Sequence, residues 1–294
     1  MAVAITIAHI KGGVGKTTLT ANLASIARSK GLRALVVDLD ASSSFSSGVF
    51  GGTSAENVTT SLERIRNGEA VDDLVEYSPD LGVWVLRGDV KRIYGTDDID
   101  FVPDLIRELK KIYVYDEDGS LHPLDIMFVD SPGGSPQVTL ASMISVEMIA
   151  VPMLFSDWDQ FCLPLIGSLI KTARKTRAGI DGRDSLMFLG IIPNRVASRN
   201  SVQREILSGM KNEEKEILLP FIPESNYLAT TTLRSNTKRE MGICNVAPKS
   251  SLVYRQFQKL WKVIMSPDTM DHNAAYEDLA SRVGLVFEEV KSAT

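Results

Sequence analysis

At 294 residues, with 44% hydrophobic and 23% charged side chains, the chain is long enough to bury one sizeable core and carries no bias towards disorder. The formal net charge of -5 excludes a surface coated in positive charge while leaving room for a local basic face, and the two cysteines, Cys162 and Cys244, have neither metal-ligand nor disulfide spacing and fit a reducing, cytoplasmic setting. Apolar runs fall well short of the ~20 residues that span a bilayer, and no basic segment precedes an apolar one at the start, so neither a membrane span nor export is expected.

The first predicted strand covers residues 4–8 and is followed by Lys11-Gly12-Gly13-Val14-Gly15-Lys16-Thr17-Thr18, then by a helix over 19–28. A glycine-rich turn between a strand and a helix aims several backbone N–H groups at one point, and the helix N-terminus adds its dipole there. That is a phosphate cradle, in which Lys16 reaches the β- and γ-phosphates and Thr17 offers its hydroxyl to Mg2+. The second strand, 32–38, leads to Asp38-Leu39-Asp40, where alternation brings both carboxylates to one side, ~7 Å apart. One is suited to hold Mg2+ through water and the other to position the attacking water. The serine-rich stretch 42–47 loosens the chain.

Helical patterns follow over 59–66 and 70–76, a strand over 82–86, a polar segment over 88–100, a helix over 104–112 and a turn at Asp116-Glu117-Asp118-Gly119. The clearest buried strand, 125–130, ends in Asp130 and runs into Ser131-Pro132-Gly133-Gly134. A carboxylate at a strand tip beside a P-loop is what a Walker B site requires, and the glycines let the backbone move as the γ-phosphate comes and goes. Further strands are expected over 145–152 and 186–193 with a weaker one over 217–222, and helices over 161–177, 201–214, 251–264 and 274–290. This βα alternation predicts an α/β fold, a P-loop NTPase with a mostly parallel central sheet flanked by helices. It reads as one domain over 1–294, with a C-terminal helical portion at about 250–294.

A second lysine at the head of the cradle, Lys11, is either a surface residue or a cation for a neighbouring subunit's nucleotide, since Lys16 already serves the chain's own phosphates. Here the sequence resembles the ParA/MinD ATPases of the SIMIBI class, closest to the ParA-like partition ATPases. Lys11 to Thr18 reproduces their deviant Walker A pattern KGGVGKT[ST], Val36-Val37-Asp38-Leu39-Asp40 their hhDxD segment, and Phe128-Val129-Asp130-Ser131-Pro132 their hhDxP segment. The resemblance implies Mg2+-dependent ATP hydrolysis by an ATP-dependent homodimer in which Lys11 crosses to the partner's phosphates. It assigns catalysis to Lys11, Lys16 and Asp40, and metal binding to Thr17, Asp38 and Asp130. The nucleotide falls to Gly12, Gly13, Val14, Gly15, Lys16, Thr17, Thr18, Asn194 and Pro223. Asn194, after a buried strand, stands where the family contacts the base, and equally suits a turn cap; Pro223 belongs to a loop like the one that packs over adenine. The chain departs from partition proteins in having Ala41-Ser42 where Pro-Gln is usual, and Pro132-Gly133 where paired prolines are common. Those differences leave the ATPase assignment intact and the hydrolysis rate open.

Late basic residues supply candidate DNA contacts: Arg234, Lys238 and Arg239, then Lys249, Arg255, Lys259 and Lys262. Spacings of three and four put the last three on one helical face, suited to phosphates rather than bases. The resemblance implies nonspecific double-stranded DNA, a nucleoid-associated location, and a centromere-binding or cargo adaptor that stimulates the ATPase. Two alternatives stay open: a MinD-like ATPase acting on a membrane or protein matrix, and a nucleotide-gated switch with negligible turnover. The acidic residues Glu277, Asp278, Glu288 and Glu289 argue against an anionic membrane.

Overall fold

The computed structural model describes residues 1–40, 42–50, 64, 67–70, 74–88, 101–116, 119–154, 162–181, 186–197, 200, 203, 218–230 and 241–267. In chain order the elements are β1 (Val3–Ile7), α1 (Lys16–Ser29), β2 (Ala34–Asp38), α2 (Ser44–Phe50), β3 (Val75–Ser78), β4 (Val83–Leu86), α3 (Phe101–Leu109), β5 (Tyr113–Tyr115), β6 (Leu121–Pro123), β7 (Ile126–Asp130), α4 (Pro136–Ser145), β8 (Met148–Leu154), α5 (Leu163–Asp181), β9 (Met187–Asn194), α6 (Asn226–Thr230), α7 (Ile243–Val246) and α8 (Leu252–Met265).

Strands β2 and β7 are buried at every position, because helices cover both faces of the sheet; that is why they read as unbroken apolar runs. On one face Ile5, Ile7, Val36 and Phe128 pack against Leu19 and Leu23 of α1 and Phe257, Leu260 and Trp261 of α8. On the other, Leu35, Val37, Met127 and Val129 pack with Ile106 of α3, Val138 of α4 and Ile166 of α5. The strand order is β3-β4-β2-β7-β1-β8-β9, parallel except for β3, which runs antiparallel to β4. β1 is thus flanked by β7 and β8, with the chain's next strand, β2, placed beyond β7. Such a change of winding direction opens a crevice at the carboxyl ends of the strands. The register sets Ile7, Asp38 and Asp130 level there.

Several segments depart from the sequence expectations. Residues 75 and 76, expected in a helix, lie in β3, where a hairpin through Gly82 (φ 73) pairs Tyr77 with Trp84, ring centroids 5.0 Å apart. A cross-strand aromatic contact outweighs a weak local helical pattern. The serine-rich stretch is not loose: Ser44–Phe50 is helical, with Phe45 and Val49 buried. Helix α3 stops at Leu109, and the chain turns into the β5–β6 hairpin, whose three-residue strands are too short to show periodicity. Helix α4 was not anticipated, although Ser135 caps it by accepting from Val138 N–H and Pro136 occupies its first turn. Residues 218–222 run beside β9 through the isolated bridge Ile191↔Leu218 and the bonds from Leu219 N–H to the Ile191 carbonyl and from Ile222 N–H to the Pro193 carbonyl, without forming a continuous strand. Of the expected helix over 201–214 only Gln203 is described, and it is helical; the helix over 274–290 and most of 59–66 lie outside the described residues. Among the described residues no helix is long and apolar enough to cross a membrane.

Candidate functional site

The cradle starts where β1 gives out. Gly13 (φ 77) and Gly15 (φ 96) occupy left-handed backbone that other residues avoid, which brings the chain round into α1. A Cβ on Gly12 or Gly13 would meet nothing within 4 Å, so there is open space beside both glycines. Helix α1 is capped only by the backbone of Gly15, with no side-chain cap and no acidic residue in its first turn. Its first N–H groups are therefore available to an anion, which is the fit a triphosphate needs.

Lys16 is buried beneath the loop and donates from Nζ to the Lys11 carbonyl at 3.1 Å. Burial pulls its pKa below the usual lysine range, opposed by the attraction of Asp130 and Asp40. Asp38 is fully buried and accepts three bonds, from Asp40 N–H (3.0 Å), Ser46 N–H (2.9 Å) and Ser46 Oγ (2.6 Å). Those bonds start α2 and fix the turn that carries Asp40. Burial pushes the Asp38 carboxyl up to about 6 against the pull of the Ser46 and Asp40 bonds, with the Asp40 charge adding to the rise. Asp40 itself is half-buried and accepts from the N–H and hydroxyl of Ser42, both at 2.8 Å.

Asp130 is fully buried, and neither carboxylate oxygen meets hydrogen-bond geometry with a described residue. The Thr17 hydroxyl and the Lys16 ammonium still lie near enough to favour its charged form, but burial and the neighbouring Asp38 charge dominate and raise its pKa well above the carboxylate range. Two adjacent buried carboxylates, only partly offset by the Lys16 ammonium, are the polar set that a bound Mg2+ would satisfy. Among the described residues no group of three or more His, Cys, Asp or Glu could hold a metal alone; Mg2+ at phosphate sites characteristically takes one or two carboxylates plus phosphate oxygens.

The structure thus brings Lys16, Thr17, Asp38, Asp40 and Asp130 to one place, with Lys11 at its edge. Asn194 lies against the cradle at the end of β9. Its Nδ2 donates to the Val14 carbonyl at 2.7 Å and its Oδ1 accepts Arg195 N–H at 3.0 Å, so the amide braces the cradle from below. One amide proton and one lone pair of Oδ1 remain for a base. A Cβ at position 15 would lie 2.3 Å from that Nδ2, a second reason for glycine there. Pro223 pairs with Val196 at the end of β9, beside this brace.

Arg255, Lys259 and Lys262 are exposed on one face of α8, and Lys249 is exposed just before it. Arg234, Lys238 and Arg239 lie outside the described residues.

Residues that sequence reasoning passed over also shape the site. His9, wholly buried, accepts Lys11 N–H at Nδ1 (2.9 Å); a polar side chain ending an apolar strand just before the motif was its signal. Gly88 is needed because a Cβ would fall 1.7 Å from the Asp38 carbonyl, and Gly133, expected from the sequence to let the backbone move, also makes a close approach, since a Cβ there would meet the Gly12 Cα at 3.0 Å and Lys16 Nζ at 3.2 Å. No local pattern announces either approach. A cavity of about 990 Å3 between β3–β4 and the β5–β6 hairpin, lined by Tyr77, Trp84, Tyr113 and Tyr115, shares no residue with the cradle.

Comparison with known proteins agrees with this geometry. Residues 5–237 match the CobQ/CobB/MinD/ParA nucleotide binding domain. The chromosome-partitioning ATPase Soj of Thermus thermophilus is 28% identical over 226 residues, covering 76% of this chain and 82% of that protein. Among solved structures, the septum site-determining protein MinD of Pyrococcus horikoshii, complexed with Mg-ADP, superposes with a TM-score of 0.66 at 24% identity over 90% of this chain and 96% of that one. The ATP complex of a Cyanothece McdA variant gives 0.67 at 17% identity, covering 92% and 97%. At these identities the two structures establish the likeness of fold.

Proposed function

The chain belongs to the CobQ/CobB/MinD/ParA nucleotide-binding family, and from that premise we propose that it is an ATP-gated dimer that positions or partitions a cargo along nonspecific DNA with the help of an adaptor protein. It is a P-loop ATPase of the ParA/MinD class, with ATP and Mg2+ as its ligands. The observation that carries the reading is the convergence of Lys16, Asp130 and Asp40 on one open glycine cradle.

Lys16 leaves the Lys11 carbonyl for the β- and γ-phosphates, whose charge attracts the ammonium more strongly than a carbonyl does. Thr17 and Asp130, with Asp38 beside them, would hold the cation, which would neutralise charge on the phosphate oxygens. Asp38, locked by its three bonds, orients the turn so that Asp40 can align the attacking water. Lys11 reaches the nucleotide of a second subunit, which makes dimerisation depend on ATP.

The exposed Arg255, Lys259 and Lys262 of α8 support DNA as the matrix. Fluorescence anisotropy with unrelated duplexes tests this. ATP-loaded protein binds them alike, and replacing Arg255 and Lys259 by alanine weakens all of them, lowers the salt slope by about two, and leaves ATP affinity unchanged. An ATP-loaded dimer that ignores DNA at low salt would move the matrix to a membrane or protein surface. One observation favours that second reading: Leu252 and Met265, 41% and 47% exposed, flank the same basic face.

A further inference from the structure

Lys11 is held through both of its backbone groups. Its N–H donates to His9 Nδ1 at 2.9 Å, and its carbonyl accepts from Lys16 Nζ at 3.1 Å. One residue earlier, the Ile10 carbonyl accepts Gly134 N–H at 2.7 Å, which ties the entrance of the cradle to the loop after Asp130. The parallel ladder of β1 ends just before this point, with Ala8 N–H donating to the Ala150 carbonyl at 3.0 Å. His9 therefore takes over where strand pairing stops.

The two bonds to Lys11 differ in kind. The Lys16 ammonium has a second duty, because a phosphate draws it away. His9 is wholly enclosed, and accepting an N–H requires Nδ1 to be the bare nitrogen with the ring proton on Nε2. Nothing in nucleotide binding competes for that nitrogen. We propose that His9 is a positioning residue for Lys11, its Nδ1 fixing the backbone from which the lysine side chain springs, and that this restraint persists when nucleotide draws Lys16 off the Lys11 carbonyl. The inference rests on the reading that Lys16 moves to phosphate and Lys11 serves a second subunit.

His9→Asn and His9→Leu separate the acceptor from the bulk. Asparagine Oδ1, like Nδ1, sits one bond from Cγ and keeps the acceptor, whereas leucine fills the space without one. In nucleotide-free protein the Lys11 amide of His9→Leu exchanges its hydrogen about tenfold faster than in the parent or more, the consequence of stripping a partner from a part-buried donor. With ATP, light scattering shows that His9→Leu needs about tenfold more protein to associate, with nucleotide affinity unchanged, while His9→Asn follows the parent in both measurements. Both variants matching the parent, or both equally impaired, would overturn the proposal. Should His9→Leu fail to fold, the 15N resonance of His9 in the parent decides: a bare Nδ1 sustains the assignment and a protonated Nδ1 ends it. A Lys11→Ala control keeps the two levels apart. If it associates as the parent does, the role in trans fails while amide exchange still judges His9.

Discussion

The two ends of the central sheet treat charge in opposite ways. At the amino ends of the strands, charges are paired. Glu147, just before β8, accepts from Lys110 Nζ at 2.6 Å, from Ala4 N–H at 2.8 Å and from Arg177 at 3.3 Å. Burial alone would raise its pKa, but these partners outweigh it and hold the carboxyl below its ordinary range. Arg33, before β2, likewise bonds Asp116 at 2.8 Å, and its N–H donates to Asp125 at 2.8 Å. At the carboxyl ends, Asp38 and Asp130 are buried side by side with raised pKa values, and Lys16 is buried with a lowered one. One end spends its charges on holding strands in register. The other keeps them in a costly arrangement that only a polyanion and a cation relieve, the stability–activity trade-off placed on opposite rims of one sheet.

The largest expected effect is on turnover. Lys16→Ala should lower the ATP hydrolysis rate by about 100-fold or more in a phosphate-release assay, while urea unfolding shows no loss of stability, because the removed ammonium was unfavourably buried. A comparable loss of stability would mean that the carboxyl rim is structural after all. At the opposite rim, Glu147→Gln should cost about 1–3 kcal/mol in urea unfolding, since it weakens a partly buried pairing with two cations. Turnover per folded molecule should stay at the parental value, and a drop would break the division of labour between the rims.

The smallest effect is the sharpest in sign. Asp130→Asn should stabilise the nucleotide-free protein by about 1 kcal/mol, because it relieves a buried carboxylate beside Asp38, and it should abolish the Mg2+ enhancement of ATP binding. The pH dependence follows from the raised values. The folded chain holds these protons more tightly than the unfolded one, so their contribution is fully present below the ordinary carboxylate value of 3.8 and is lost as pH rises through about 6 at Asp38. In metal-free buffer the parent Tm should therefore fall relative to Asp130→Asn as pH rises above the ordinary carboxylate value, because Asp130 is held well above it. Parallel profiles for the two proteins would show that the pair is not coupled in this way.

Much of this contrast was legible before any coordinates. The cradle is contiguous, so glycine spacing, Lys16 and Thr17 announced it directly. Strand ends at Asp38 and Asp130 showed as acidic residues closing apolar runs, and the α8 face showed as basic residues three and four apart. The helical start at Ser44 was hidden, because the group that holds it, the Asp38 carboxylate, lies outside the local serine pattern. Strand β3 was hidden because its partner is the Trp84 ring and not its own neighbours in sequence.

By itself the amino-acid order determined the α/β class, the phosphate chemistry and the identity of the charged residues, all of which depend on patterns within a few turns or strands. Tertiary structure alone decided how those residues act on one another. Burial raises both the Asp38 and the Asp130 carboxyls, and parallel pairing of β2 with β7 sets Asp38 level with Asp130, so that the Asp38 charge adds to the rise at Asp130. The end of β9 brings Asn194 under Val14, 180 residues away, as a brace for the cradle. Burial turns His9 into a shielded acceptor for Lys11. Desolvation and hydrogen-bond geometry depend on distance in space, and the chain encodes that distance only through the packing of the whole sheet.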